Sequence, residues 1–130
     1  MNELTRRRAV RPRFLNLLRL RYPVGAVCSF AHRVSGVLLA LFAPALVWLL
    51  RRSLEGPSGY EAVARVMHPF LAKAAALVFV WALAHHVLAG VRHLLKDIDR
   101  GSSLAVARRS AWTVNVLGVL ILLLALGALA

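Results

Sequence analysis

Cysteine is nearly absent. Cys28 stands alone, so no internal disulfide can form and no Cys pair exists for a zinc or iron–sulfur site. It reads as a small packing residue. Acidic residues are scarce as well, with Asp+Glu 5 against Lys+Arg 17, a net charge of +12. In a soluble domain that imbalance would suggest a nucleic-acid partner. Here the basic residues flank apolar blocks, which leave too little polar surface for a nucleic-acid fold, so no nucleic-acid partner is expected. There is no internal repeat and no low-complexity tract. Arg6, Arg7 and Arg8 are not followed closely by a short apolar stretch ending in a cleavage site, so the N-terminus is not read as a signal peptide.

What is present in quantity is hydrocarbon. Hydrophobic residues make up 60% of the 130-residue chain, and its mean hydropathy is +0.69. Soluble domains average about 45–50% apolar residues. The excess falls into three blocks. Span one covers 23–50, and only His32 and Arg33 interrupt its apolar run; Pro44 lies inside it and is expected to kink the helix. Span two covers 69–95, with an uncharged core from Ala74 to Ala84. Span three, 110–130, has no charge at all. Crossing a ~30 Å hydrocarbon core takes about 20 helical residues, and unpaired backbone groups are not tolerated there. The expectation is an all-α protein of three transmembrane helices, forming a single membrane-anchor domain over 1–130.

Basic residues set the orientation. Arg6, Arg7, Arg8, Arg11, Arg13, Arg19 and Arg21 precede span one, and Lys96, Arg100, Arg108 and Arg109 separate spans two and three. The 51–68 connection balances Arg51, Arg52 and Arg65 against Glu55 and Glu61. The richer side is cytoplasmic. The N-terminus is therefore expected inside, with "EGPSGYE" (55–61) as a turn stretch in the outer loop. The arm over 1–22 contains "RPRFLNLLRLRY", which suits either an interfacial amphipathic piece or an extended arm on a cytoplasmic partner.

Polar groups inside the spans point to function. On span two, His86, Gly90 and His93 share a face at i, i+4 and i+7, while His85 points ~100° away. Counting back from Lys96 places His86 ~15 Å inside the cytoplasmic boundary, near mid-bilayer. An ionisable residue at that depth marks a functional site by default, although an interhelical hydrogen bond is the plainer alternative. Above it, Ser29, His32 and Arg33 of span one and Arg92, His93 and Asp97 of span two are expected to form one polar layer, with Arg92 snorkelling to the interface. A haem fits this pattern: axial histidine for the iron, an apolar slot opened by Gly90, and cations for the propionates. His86 and His93 cannot ligate one iron from the same helix, because trans nitrogens stand ~4 Å apart across a metal with ~2 Å bonds. His32 looks too shallow. A second axial ligand would then come from another chain.

The residues resemble the cytochrome b large anchor subunit of succinate dehydrogenase, respiratory complex II. "SFAHRVSGV" (29–37), with "RP" at 11–12 and "RYP" at 21–23, is similar to that family's first signature. "HHVLAGVRHLLKD" (85–97) is similar to its second, H-x-x-x-G-[IV]-R-H-x-x-x-D, matched by His86, Gly90, Val91, Arg92, His93 and Asp97. The resemblance implies that His86 is an axial ligand of haem b, with the opposite ligand from the small anchor subunit. His85 stands where some relatives carry an aromatic residue, which leaves it as the alternative ligand. The resemblance also implies that His32, Arg33 and His93 neighbour the propionates and that Ser29 and Arg33 line a ubiquinone pocket. Asp97 is expected to pair with Arg92 or Lys96. The partners implied are the flavoprotein, iron–sulfur and small anchor subunits, in a bacterial cytoplasmic membrane. Nothing in the chain resembles a flavin or dicarboxylate site, so succinate chemistry is left to those partners. The alternatives are a haem-free structural anchor and the anchor of a menaquinone-linked fumarate reductase.

Overall fold

A computed structural model describes residues 22–129. The arm expected over 1–22 lies, except for Tyr22, outside the described residues. Four helices follow: α1 Val24–Ser53, α2 Pro57–Met67, α3 Phe70–Asp97 and α4 Leu104–Leu129. There are no strands among the described residues. α1, α3 and α4 are each long and apolar enough to cross a membrane. All three run past the charge-free stretches that mark them in the sequence. A charged residue ends a hydrocarbon segment without ending a helix.

α1 and α3 begin alike. Pro23 and Pro69 sit at the N-caps with extended backbone. Their carbonyls accept from Ala26 and Val27, and from Ala72 and Lys73, respectively. Proline is suited to this place, since an amide there would have no helical partner. Pro44 lies inside α1, which continues through it to Ser53.

The connection between the first two spans is not only a turn. Gly56, at φ 104°, reverses the chain, and Pro57 then opens the short helix α2. The "EGPSGYE" reading caught the turn at Gly56 but missed the helix. Its signal was Pro57, which is favoured at a first helical position. α2 folds back on the end of α1 at Gly59, which is buried. A Cβ there would collide with the Arg52 carbonyl oxygen. Gly59→Val is therefore expected to push α2 off α1. Overpacking of this kind costs about 1–3 kcal/mol, readable as a lower melting temperature of the detergent-solubilised protein. An unchanged melting temperature would refute the close packing.

α3 is the central helix. It packs extensively on both α1 and α4, which touch each other less. The antiparallel register with α1 is fixed by three contacts. Phe42 meets Phe79 edge-on, a Cβ on Gly36 would touch His86, and one on Gly90 would touch His32. The register with α4 is fixed by Lys73 on the Leu129 carbonyl, His85 beside Asn115 and Arg92 on Ser110. The contact seams are built from small residues: Cys28, Ala82, Ala89 and Ala111 are fully buried, and Gly118 is buried beside them. Small side chains let helix backbones approach closely, which is how helices associate when lipid removes the hydrophobic drive between them. Large apolar residues such as Leu41, Leu123 and Leu124 face outward.

Candidate functional site

The α1–α3 seam brings His32, His86 and His93 into one row. The His32 ring stacks on His86 with centroids 4.2 Å apart and an interplanar angle of 23°. His93 lies on its other side at 5.1 Å. His86 is therefore not alone below a polar layer, and His32 is not shallow. The register puts Lys96 level with Ala26, so Arg33 sits about 10 Å deeper than Lys96 along α1. The charge-free run that starts at Val34 does not mark the membrane boundary. His86 and His93 lie beside the His32 ring and give it polar company at that depth.

His86 is held at one ring nitrogen. Its Nδ1 is 3.1 Å from the His32 carbonyl oxygen and 3.2 Å from Ser35 Oγ. A carbonyl only accepts, so Nδ1 carries the proton and donates. Ser35 uses its own hydroxyl hydrogen on the same His32 carbonyl at 2.8 Å, which leaves its oxygen to accept from His86. In its neutral form the imidazole is thus the Nδ1–H tautomer. Its Nε2 keeps a lone pair and has no hydrogen-bond partner among the described residues. Gly36 is what lets the ring in: a Cβ there would stand 3.0 Å from His86 Cε1. Gly90 also gives room, as its place on the shared face suggested, but the His32 ring edge takes it, 3.6 Å from a built Cβ. The sequence reading missed Ser35 and Gly36. Their signal was the spacing from His32, three and four residues on, across one helix face.

His85 faces the other way. It is 2% exposed and wedged between α3 and α4. Its Nε2 is 3.2 Å from Asn115 Oδ1, and Trp81 lies at 5.5 Å. Gly118 makes the space for it. His85 thus packs in the α3–α4 seam.

Ser29 and Arg33 lie one turn apart on α1, Ser29 half-buried and Arg33 exposed. Neither has a hydrogen bond or ion pair among the described residues. Arg92 belongs to the opposite seam. It is 7% exposed, and does not snorkel. Its Nε donates to Ser110 Oγ and its Nη2 to the Ala107 carbonyl, both at 3.0 Å. These acceptors on α4 meet two of the three guanidinium nitrogens. The expected polar layer is thus divided, with imidazoles towards α1 and guanidinium towards α4. Asp97 is exposed and pairs with neither Arg92 nor Lys96. The ion pairs among the described residues lie instead around Glu55 and Glu61.

This donor set fits a haem. A neutral imidazole with its Nδ1 proton committed and Nε2 available is the form in which histidine binds a metal, and a carbonyl acceptor behind it is the usual orienting group. His86 is also only half-buried in this chain, so its surroundings are not closed.

Residues 7–126 match the family model described as succinate dehydrogenase/fumarate reductase transmembrane subunit. The chain is 34% identical to the succinate dehydrogenase cytochrome b556 subunit of Coxiella burnetii, over 90% of this chain and 94% of that protein. It is 29% identical to the subunit of the same name from Paracoccus denitrificans, over 80% of each. The corresponding Rickettsia typhi subunit is 30% identical, over 88% of this chain and 89% of its own length.

Proposed function

Since the chain belongs to the succinate dehydrogenase/fumarate reductase transmembrane-subunit family, we propose that it binds haem b through His86 and helps form the ubiquinone-reduction site of a succinate:quinone oxidoreductase. The observation that carries this reading is the His86 tautomer, with Nδ1–H donated to the His32 carbonyl and Ser35, and Nε2 left for iron. A second ligand to the iron would come from the small anchor subunit. Bound there, the haem supplies a one-electron store beside the quinone pocket.

The chain's own residues prepare that place. The His32 carbonyl and Ser35 fix the plane of the His86 ring and orient it as a metal ligand. The stacked His32 ring limits its rotation. His32 and His93 supply donors for the propionates, and Arg33 supplies a fixed positive charge. Ser29 offers a hydroxyl to the quinone head group, and Arg33 offers a fixed cation that favours its reduced, anionic form. The positive-inside pattern supports a cytoplasmic position for this end of the bundle, and the bacterial relatives support a bacterial inner membrane. There the flavoprotein and iron–sulfur subunits dock, and quinol protons enter through water and partner residues.

Purification of the complex in mild detergent tests the reading. Co-purifying flavoprotein, iron–sulfur and small anchor subunits with a dithionite-reduced b-type spectrum are expected. The same partners without that spectrum would reduce the chain to a haem-free anchor, and self-assembly without partners would end the reading. A finer result concerns Ser35. Ser35→Ala removes one acceptor from the His86 Nδ1 proton while the His32 carbonyl remains. The imidazole becomes a weaker donor to oxidised iron, so the haem midpoint potential rises. A neutral hydrogen bond of about 1 kcal/mol corresponds to roughly 40 mV for a one-electron couple. Redox titration checks this, and an unchanged potential would remove Ser35 from the account.

A further inference from the structure

On the side of α3 away from the imidazole row there is a second polar site. A cavity of about 200 Å³ opens where the end of α3, the connecting turn and the start of α4 meet. Its lining includes Arg92, Lys96, Arg100, Ser110 and the apolar Leu95 and Val106. No carboxylate lines it: Asp97 and Asp99 are exposed and lie outside the lining.

The backbone builds this concentration of charge. Arg92 and Lys96 are one turn apart on the same face of α3, an arrangement that repels in an isolated helix. α3 then ends in a Schellman turn. The Arg100 amide donates to the Leu95 carbonyl at 2.8 Å and the Asp99 amide to the Lys96 carbonyl at 3.0 Å. Asp99 takes the left-handed conformation at φ 55° that this turn requires. The turn brings Arg100 back beside Leu95, and so returns a third cation to the first two. Arg92 is clamped to α4 through Nε and Nη2, and its Nη1 has no partner among the described residues. Three cations around one pocket, one of them nearly buried, leave an unbalanced positive charge. The pocket lies at the ends of two membrane-crossing helices, at headgroup depth, with Leu95 and Val106 on its apolar side.

We propose that this pocket binds the phosphate headgroup of an anionic phospholipid, with its acyl chains running down the α3–α4 surface. Basic pockets between membrane helices take such headgroups. A soluble phosphate would meet the same cations but would gain nothing from the apolar side, which is why the lipid is favoured. The proposal needs the three spans but not the haem or the quinone.

The test uses the intact complex in phosphatidylcholine vesicles carrying spin-labelled phosphatidylglycerol or spin-labelled phosphatidylcholine. The immobilised fraction gives the lipid selectivity. Phosphatidylglycerol is expected to be preferred, and Lys96→Gln with Arg100→Gln is expected to lower that preference about fivefold per cation removed. Arg108→Gln with Arg109→Gln removes equal charge from residues outside the lining and is expected to leave most of the preference. Equal losses in the two double variants would mean diffuse attraction and would overturn the pocket. Displacement of the labelled phosphatidylglycerol by millimolar inorganic phosphate at constant ionic strength would overturn the lipid assignment. An unchanged b-type spectrum in all variants is expected, and a lost spectrum in the Lys96/Arg100 variant alone would show that the pocket serves the haem site instead.

Discussion

In a complex carrying His86→Ala, the dithionite-reduced b-type spectrum is expected to disappear, whereas His85→Ala is expected to keep it. These are neighbouring imidazoles with different commitments. His86 donates its Nδ1 proton backward into α1 and leaves Nε2 without a partner among the described residues. His85 is sealed against α4, its Nε2 on Asn115 and its Nδ1 buried with no partner among the described residues. To ligate iron, His85 would have to abandon Asn115 and turn out of the α3–α4 seam. Its replacement is expected to act on stability instead. The part-buried hydrogen bond to Asn115 is lost, which costs about 0.5–1.5 kcal/mol, and a gap opens beside Trp81 and Gly118. The His85→Ala complex should therefore melt earlier with its spectrum intact. The reverse pattern, a normal spectrum in His86→Ala and a lost one in His85→Ala, would move the ligand by one residue and break the tautomer argument.

Arg33→Leu is expected to lower kcat/KM for ubiquinone by roughly 10- to 100-fold while electron delivery from succinate to a soluble dye stays normal. The magnitude is that of a hydrogen bond to a charged group, about 1.5–3 kcal/mol. The split follows from where Arg33 sits. It is exposed on α1 and makes no ion pair or hydrogen bond among the described residues, so its loss removes nothing that holds the bundle. Yet it stands about 10 Å deeper than the Lys96 level, where an unpaired guanidinium is costly unless something outside the chain meets it. Ser29, one turn earlier, presents a hydroxyl on the same side. Arg33→Lys should recover only part of the activity, because an ammonium keeps the charge and loses the planar donor fork. Equal losses with dye and quinone would mean that Arg33 supports assembly of the complex, and the quinone assignment would fall.

The spans were legible because long charge-free runs have few other uses, and 110–130 leaves no alternative to a helix in hydrocarbon. α2 was obscured because glycine and serine beside Pro57 resemble a loop, and only the contact of Gly59 with the Arg52 carbonyl makes the helix necessary. His86 and His93 were legible by helical periodicity along one strand of sequence. The depth of His32 was not, since it depends on the register between two helices, and that register is set by Gly36, Gly90 and the Phe42–Phe79 pair. Arg92 shows the same limit. Its closeness to a helix end suggested snorkelling, but Ser110 and the Ala107 carbonyl, which hold it, belong to a different helix.

The adjacent imidazoles also key α3 in rotation. One engages Ser35 and the other engages Asn115, on opposite neighbours. Inserting or deleting a single residue just before them would turn everything downstream by about 100°. The ring meant for α1 would swing away from it, and Arg92 would leave its seat on α4. This part of the helix can exchange side chains within limits, but its length has no slack.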